Sequence, residues 1–268
     1  MAASTQLGRA PLYQALAVQA RVLGALFRWE VIQRYGRDNL GFIWLFLEPM
    51  IFTLSITALW SAIKISHYSN LPIVAFALTG YSTILLWRNC ASRCTMALQS
   101  NTGLLYHRPV RAIDVFLTKI LLEIAGATMS FVVLGSLWVS IGWADPPEDM
   151  LVLLFGWVLL IWFAAALALT IGALTTMSEI FERLWHPTAY ILFPLSGAGF
   201  MVDWLSKDFQ DVVLWLPMVH CGEIIRAGYF GSTIQTHYDV SYVVSANLLL
   251  TLFALVSVRA AARRVEFR

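Results

Sequence analysis

The stretch RYGRDNLGFIWLFLEPMIF, residues 34–52, sets two chemistries against each other: Arg34, Arg37 and Asp38 stand directly before an apolar run that then holds Glu48 and Pro49. A helix from Pro49 to Ile63 reaches only ~22 Å, too short for a hydrocarbon core of ~30 Å. Starting at Phe42 lengthens it to ~33 Å. The run therefore reads as a membrane span, with Glu48 about 9 Å inside it. Pro49 has no N–H and releases the carbonyl of Leu45. Lipid satisfies neither the carboxylate nor the freed carbonyl, so Glu48 is expected to face a protein cavity or a lateral opening. Arg34 and Arg37 fall just outside, at headgroup level.

The rest of the chain supports a membrane reading. Its 268 residues are 59% hydrophobic and only 13% charged, against roughly 25% charged in soluble domains. The apolar runs are continuous rather than alternating, which excludes a β-barrel. Six spans are expected: Phe42–Ile63, Pro72–Trp87, Val115–Ile141, Leu151–Leu174, Leu184–Val202 and Tyr242–Val258. No signal peptide is expected, because residues 1–40 hold five arginines and no apolar core with a small-residue cleavage site. With the N-terminus inside, fourteen of the eighteen Lys and Arg lie on the cytoplasmic side, and Lys64, Lys207 and Arg226 lie outside. The positive-inside rule then places both termini in the cytoplasm.

Two segments fit neither spans nor simple loops. Within residues 10–38, Gln14, Arg21 and Arg28 recur on one helical face, opposite Leu12, Leu16, Leu23 and Phe27. Such an amphipathic helix either rests in the headgroup layer or packs on the protein's own cytoplasmic surface. The outer stretch 203–240 is apolar but broken by Pro217, Gly222 and Gly228. It reads as a re-entrant helical hairpin before the last span, with an ordinary folded outer loop as the alternative. The fold class is thus all-α and polytopic, a single transmembrane domain over residues 1–268. Spans one to five occupy 42–202 and span six occupies 242–258.

Catalytic patterns are missing. No G-x-x-x-x-G-K-[ST] occurs, and none of the three lysines follows a glycine, so this chain has no P-loop for ATP. There is no H-E-x-x-H and no G-x-S-x-G, and the five histidines are scattered; neither catalytic nor metal-ligating residues are assigned. Cys90, Cys94 and Cys221 read as small core residues. Lys119 and Glu123 are four apart on one span and suited to pair with each other. Trp143, Trp185 and Trp204 fall where interface anchors belong. Trp44, Trp87, Trp157 and Trp162 suit lipid, a neighbouring helix or a pore.

Transport driven from elsewhere is the class that remains, and three motifs sharpen it. The stretch quoted above resembles the amino-terminal signature of ABC-transporter permeases that export polysaccharides. NTGLLYHRPVRAIDVFLTKILLE, residues 101–123, resembles the capsular-polysaccharide branch, the KpsM-like permeases. LPMVHCGEIIRAGYFG, residues 216–231, is similar to that family's Pro-x-x-His-x-x-Glu-x-x-Arg before the last span, here Pro217, His220, Glu223 and Arg226.

The resemblance implies a homodimeric permease in the bacterial inner membrane, bound to two copies of a cytoplasmic ABC ATPase subunit. ATP and Mg are used by that partner, and this chain holds no cofactor. A lipid-linked acidic polysaccharide enters from the cytoplasmic leaflet. Periplasmic co-polymerase-type and outer-membrane export proteins complete the route, with membrane lipids around it and no nucleic acid. Arg28, Arg34 and Arg37 are expected to meet the lipid-anchor phosphate. Trp44, Glu48, Pro49, Tyr81 and Trp87 are expected at the gate or path. Gln99, Asn101, Leu104, Leu105, Tyr106, His107 and Arg108 are expected to couple to the ATPase. The rivals are permeases for O-antigen, teichoic acid or a small hydrophobic compound, and a membrane enzyme acting on lipid-linked glycans.

Overall fold

A computed structural model describes residues 12–35, 41–63, 71–101, 103 and 110–266. Among these residues every regular element is helical. The long elements are α1 (Leu12–Tyr35), α2 (Gly41–Ile63), α3 (Ile73–Cys94), α5 (Ala112–Ile141), α6 (Met150–Met177), α7 (Glu179–Leu195) and α10 (Val240–Glu266). Shorter ones are α4 (Ala97–Ser100), α8 (Lys207–Val213) and α9 (Pro217–Phe230). Among the described residues, three helices are long and apolar enough to cross a membrane: Ala112–Ile141, Met150–Met177 and Val240–Arg264.

Local chemistry sets the ends of these helices. Asp149 caps α6 by accepting from the N–H groups of Leu151 (2.9 Å) and Val152 (3.1 Å). Asp239 does the same for α10 through Ser241 (2.8 Å) and Tyr242 (3.1 Å). Met96, in the left-handed region at φ 57°, separates α3 from α4. The fifth apolar segment differs from expectation: its helix is Glu179–Leu195, not Leu184–Val202. Ser178 is extended, at φ −158° and ψ 132°, and its hydroxyl accepts from Ile180 N, so a new helix begins directly after α6. Pro194 and the run Ser196-Gly197-Ala198-Gly199 end it early. α3 and α10 outlast the expected spans, carrying Arg88 and Arg93, and Arg259, Arg263 and Arg264, beyond the apolar parts.

α6 is the spine, packed against α3, α9, α10 and α7, while α3 links it to α5 and α2. α1 lies outermost on α5 and α2. Small residues allow the closest crossing: a Cβ on Gly228 of α9 would sit 2.3 Å from Leu153 N of α6. The core includes Trp87, Cys90, Cys94, Phe116, Ile120 and Leu160. All three cysteines are buried and free, as small core residues. Trp185 departs from its expected interface role. It is 4% exposed and donates to Ser92 Oγ at 3.2 Å, because Ser178 starts α7 early enough to turn that position onto α3. Trp157 stacks on Phe131 and donates to Thr128 Oγ1 at 3.1 Å, and Trp162 donates to Thr251 Oγ1 at 2.9 Å. Both pack between helices.

Candidate functional site

Four helices bring their charged residues to one point. Arg34 comes from the end of α1, Glu48 from α2, Arg93 from the last turn of α3 and Glu123 from α5. Arg34 pairs with Glu48 at 3.1 Å and also with Glu123. Arg93 pairs with Glu48 at 3.5 Å and with Glu123 at 3.3 Å. Each carboxylate thus bridges both guanidiniums, and the four charges cancel. The two acids differ in setting: the Glu123 side chain is 7% exposed, Glu48 54%. A cavity of about 440 Å³ opens beside Glu48, lined by Arg34, Trp44, Glu48 and Ile51. Glu48 therefore faces an opening, and Trp44 lines it as well.

The network corrects one expectation. Lys119 and Glu123 do not pair with each other; each reaches across to α1. Lys119 Nζ lies 2.6 Å from Glu30, and Glu123 takes Arg34. Gln19 of α1 donates to Asp114 at the start of α5. On a helix, positions 19, 26, 30 and 34 fall within ~80° of one another, and Leu26 among them is buried. α1 therefore docks on α5 through a face with charged and polar side chains. Arg21 and Arg28 are exposed and donate to carbonyls of their own helix, at 3.4 Å and 3.2 Å. Arg28 is not part of the cluster. Arg37 lies outside the described residues.

Other expected site residues are placed as follows. Pro49 is buried and α2 runs through it, while Thr53 donates to its carbonyl at 3.0 Å. Tyr81 sits among the rings of Trp60 (5.3 Å), Phe52 (6.0 Å) and Phe193 (6.0 Å). Trp87 is fully buried in the core. Gln99 lies in α4, and Asn101 is turned inward, donating to Ala97 O at 2.9 Å. Leu104, Leu105, Tyr106, His107 and Arg108 lie outside the described residues.

At the other end of the bundle, the i, i+3 spacing puts His220, Glu223 and Arg226 on one buried face of α9. Pro217 starts that helix, where its missing N–H costs nothing. Asp239 N donates to His220 Nδ1 at 3.0 Å, so Nε2 carries the proton and donates to Leu214 O at 2.8 Å. Burial holds the imidazole below its ordinary pKa. Glu223 accepts from Val202 N (3.3 Å) and His237 N (3.1 Å). Arg226 donates to Phe200 O (2.6 Å) and Ala198 O (3.0 Å) and lies 4.2 Å over the Phe76 ring. The third motif is thus a clamp holding the chain around residues 198–202 and 237–239 onto α9. Beside it lies a cavity of about 1060 Å³ lined partly by Asp145, Glu148, Asp203 and Trp204.

Arg93, Glu30, Gln19 and Asp114 were not among the expected site residues. A signal for two contacts was present: Glu30 and Arg34 on α1 match Lys119 and Glu123 on α5 in spacing and opposite sign. Arg93 had no such signal.

Comparison with known proteins shows the family. The sequence profile of the ABC-2 type transporter family matches residues 21–230. The capsule polysaccharide export inner-membrane protein CtrC of Neisseria meningitidis serogroup B is 43% identical over 260 residues, covering 97% of this chain and 98% of CtrC. The capsule polysaccharide export inner-membrane protein BexB of Haemophilus influenzae is 41% identical over 253 residues, covering 94% and 96%. The polysialic acid transport protein KpsM of Escherichia coli is 27% identical over 247 residues, covering 88% and 91%. With its helices accounted for and its length matched nearly end to end, the chain belongs to the ABC-2 type transporter family.

Proposed function

We propose that this chain is the permease subunit of an ATP-driven exporter of lipid-linked capsular polysaccharide across the bacterial inner membrane. The observation that carries the reading is its near end-to-end similarity to two relatives named for capsule polysaccharide export. ATP is hydrolysed by a separate subunit, and this chain supplies the membrane path. In the reading we favour, two copies pair, each binds an ATPase subunit, and α2, α3 and α7 join the three clearly apolar helices as spans, with both termini cytoplasmic. The periplasmic and outer-membrane partners act on the far side.

The inner-face cluster suits the receiving step. Arg34 stands beside a cavity with an apolar wall of Trp44 and Ile51. A planar guanidinium binds phosphate oxygens in pairs, and an apolar wall suits the attached chain. Arg28, exposed on α1, adds a basic group to the approach, and Arg37 is assigned to it by its place in the sequence alone. Complementation tests the whole reading. A strain lacking its capsule-export permease, supplied with this chain and the matching ATPase, should display polymer on its surface. Polymer retained in the cytoplasm, although both subunits assemble in the inner membrane, would refute it.

A further inference from the structure

Glu48 has the features of an internal substitute ligand. It holds two guanidiniums of a neutral four-charge network, yet it is half in solvent and lines the cavity, whereas Glu123 is buried beneath. Removing Glu48 alone takes one carboxylate from both Arg34 and Arg93 and shifts the charge beside the cavity toward positive. Glu48 also directly precedes Pro49, where α2 lacks one backbone hydrogen bond, so the turn carrying Glu48 is the one that bends most easily. The cavity wall beside the charges is Trp44 and Ile51, 50% and 47% exposed.

We propose that Arg34 and Arg93 form a binding fork for a phosphate-bearing lipid headgroup, and that Glu48 occupies the fork until the headgroup displaces it. The phosphate takes the two guanidinium edges vacated by Glu48, and the lipid chain lies against Trp44 and Ile51. Glu123 stays in place and holds both arginines apart at a fixed spacing. The displaced carboxylate turns into the cavity with the first turns of α2, so occupancy of the fork becomes a movement of the first span. The inference rests on the reading of a lipid-linked cargo, but it assigns Arg93 and an exchange step that this reading does not contain.

The test uses the full-length permease in nanodiscs of phosphatidylcholine, without ATPase or glycan. Short-chain phosphatidic acid is one probe and inorganic phosphate is the other. Glu48→Gln should bind phosphatidic acid about tenfold tighter than wild type, because a charged competitor is gone, and Arg93→Gln about tenfold weaker. In wild type, phosphatidic acid should raise carbodiimide labelling of Glu48. Tightening for phosphatidic acid alone assigns the fork to a headgroup carried on its chain. Tightening for inorganic phosphate as well assigns it to phosphate whatever its source, and either result supports the exchange. Glu48→Gln binding no tighter, with an unchanged melting temperature, overturns it. Should that variant fail to fold, wild-type labelling of Glu48 that does not rise with lipid overturns it equally. A negative result leaves polysaccharide export standing, and failed complementation with intact exchange overturns only the export reading.

Discussion

Gly80 lies where α3 passes beneath the Ala198 carbonyl that Arg226 holds. A Cβ there would meet Ala198 O at 2.3 Å and Arg226 Nη2 at 2.9 Å, a backbone atom and a pinned side chain. Neither neighbour can move without loosening the clamp. Gly80→Ala should therefore destabilise the protein by about 1–3 kcal/mol, the usual cost of overpacking, read as a lowered melting temperature in detergent. An unchanged melting temperature would mean that the 198–202 segment yields freely. His220 makes a second residue-scale prediction. Burial lowers its folded pKa, so the neutral ring with its Nε2 proton is the form that bonds Leu214 and Asp239. That stability is fully present above the unfolded histidine value of ~6.5. It is lost as pH falls through the lower folded value, since protonated Nδ1 can no longer accept from Asp239 N. His220→Gln, whose amide both donates and accepts without titrating, should flatten the melting-temperature profile on the acid side. A profile as steep as wild type assigns the acid loss to other groups.

At the scale of elements, the attachment of α1 is the least expected feature. An amphipathic helix usually docks by its apolar stripe, but this one meets α5 through Gln19, Glu30 and Arg34. The contact is directional, because Glu30 answers Lys119 and Arg34 answers Glu123 in one register. Charge reversal at either Glu30 or Lys119 puts like charges together in a partly buried position. Each single reversal should lower stability, and Glu30→Lys with Lys119→Glu together should recover most of the loss. A coupling energy of about 1–2 kcal/mol is expected from the cycle. Additive losses would show that α1 is held by its other contacts alone. Glycine acts at the same scale: Gly228 and Gly156 let α9 approach α6 to backbone distance, so the outer helix is carried rigidly on the spine.

At the scale of the whole molecule, export requires that work done by the ATPase reach the spans. The segment from Gln99 to Arg111 follows α3, whose last turn carries Arg93, and precedes α5, which carries Glu123. We propose that this segment seats in the ATPase subunit, so that a pull on it reaches both helices that carry the four-charge network. Arg108→Glu combined with Tyr106→Ala should leave insertion and pairing of the permease intact, while stimulated ATP hydrolysis and export fall together. If the ATPase binds and hydrolyses normally while export alone fails, coupling moves to the α6–α7 junction around Glu179 and Glu182. That junction is tied to the end of α10 by Arg264, which donates to Met177 O at 2.7 Å.

Much of this was legible in the sequence because membrane helices announce themselves by composition. A run of apolar residues long enough for a bilayer is a local property, so α5, α6 and α10 are long apolar helices where the sequence places spans, and α2 and α3 are helices over their expected segments. Glu48 beside Pro49 was likewise readable, since lipid leaves such a pair no place except a cavity. The spacing of Pro217, His220, Glu223 and Arg226 marked one helical face. Their use as a clamp was not legible, because their partners are backbone groups of segments distant in sequence. The bounds of α7 were misplaced for a similar reason: the extended backbone of Ser178 starts the helix early, and Pro194 with Ser196-Gly197-Ala198-Gly199 ends it inside a run whose apolar composition continues. Pairing of charges depends on which helices become neighbours. Local spacing joins Lys119 to Glu123; the packed bundle instead gives each a partner on α1. Arg93 enters the cluster only because α3 extends past its apolar run and ends against α2 and α5. Composition and spacing along the chain suffice for the helices, the membrane as solvent and the charge beside α2. Which charges meet follows from helix packing, because an ion pair is set by distance in space and not by distance along the chain.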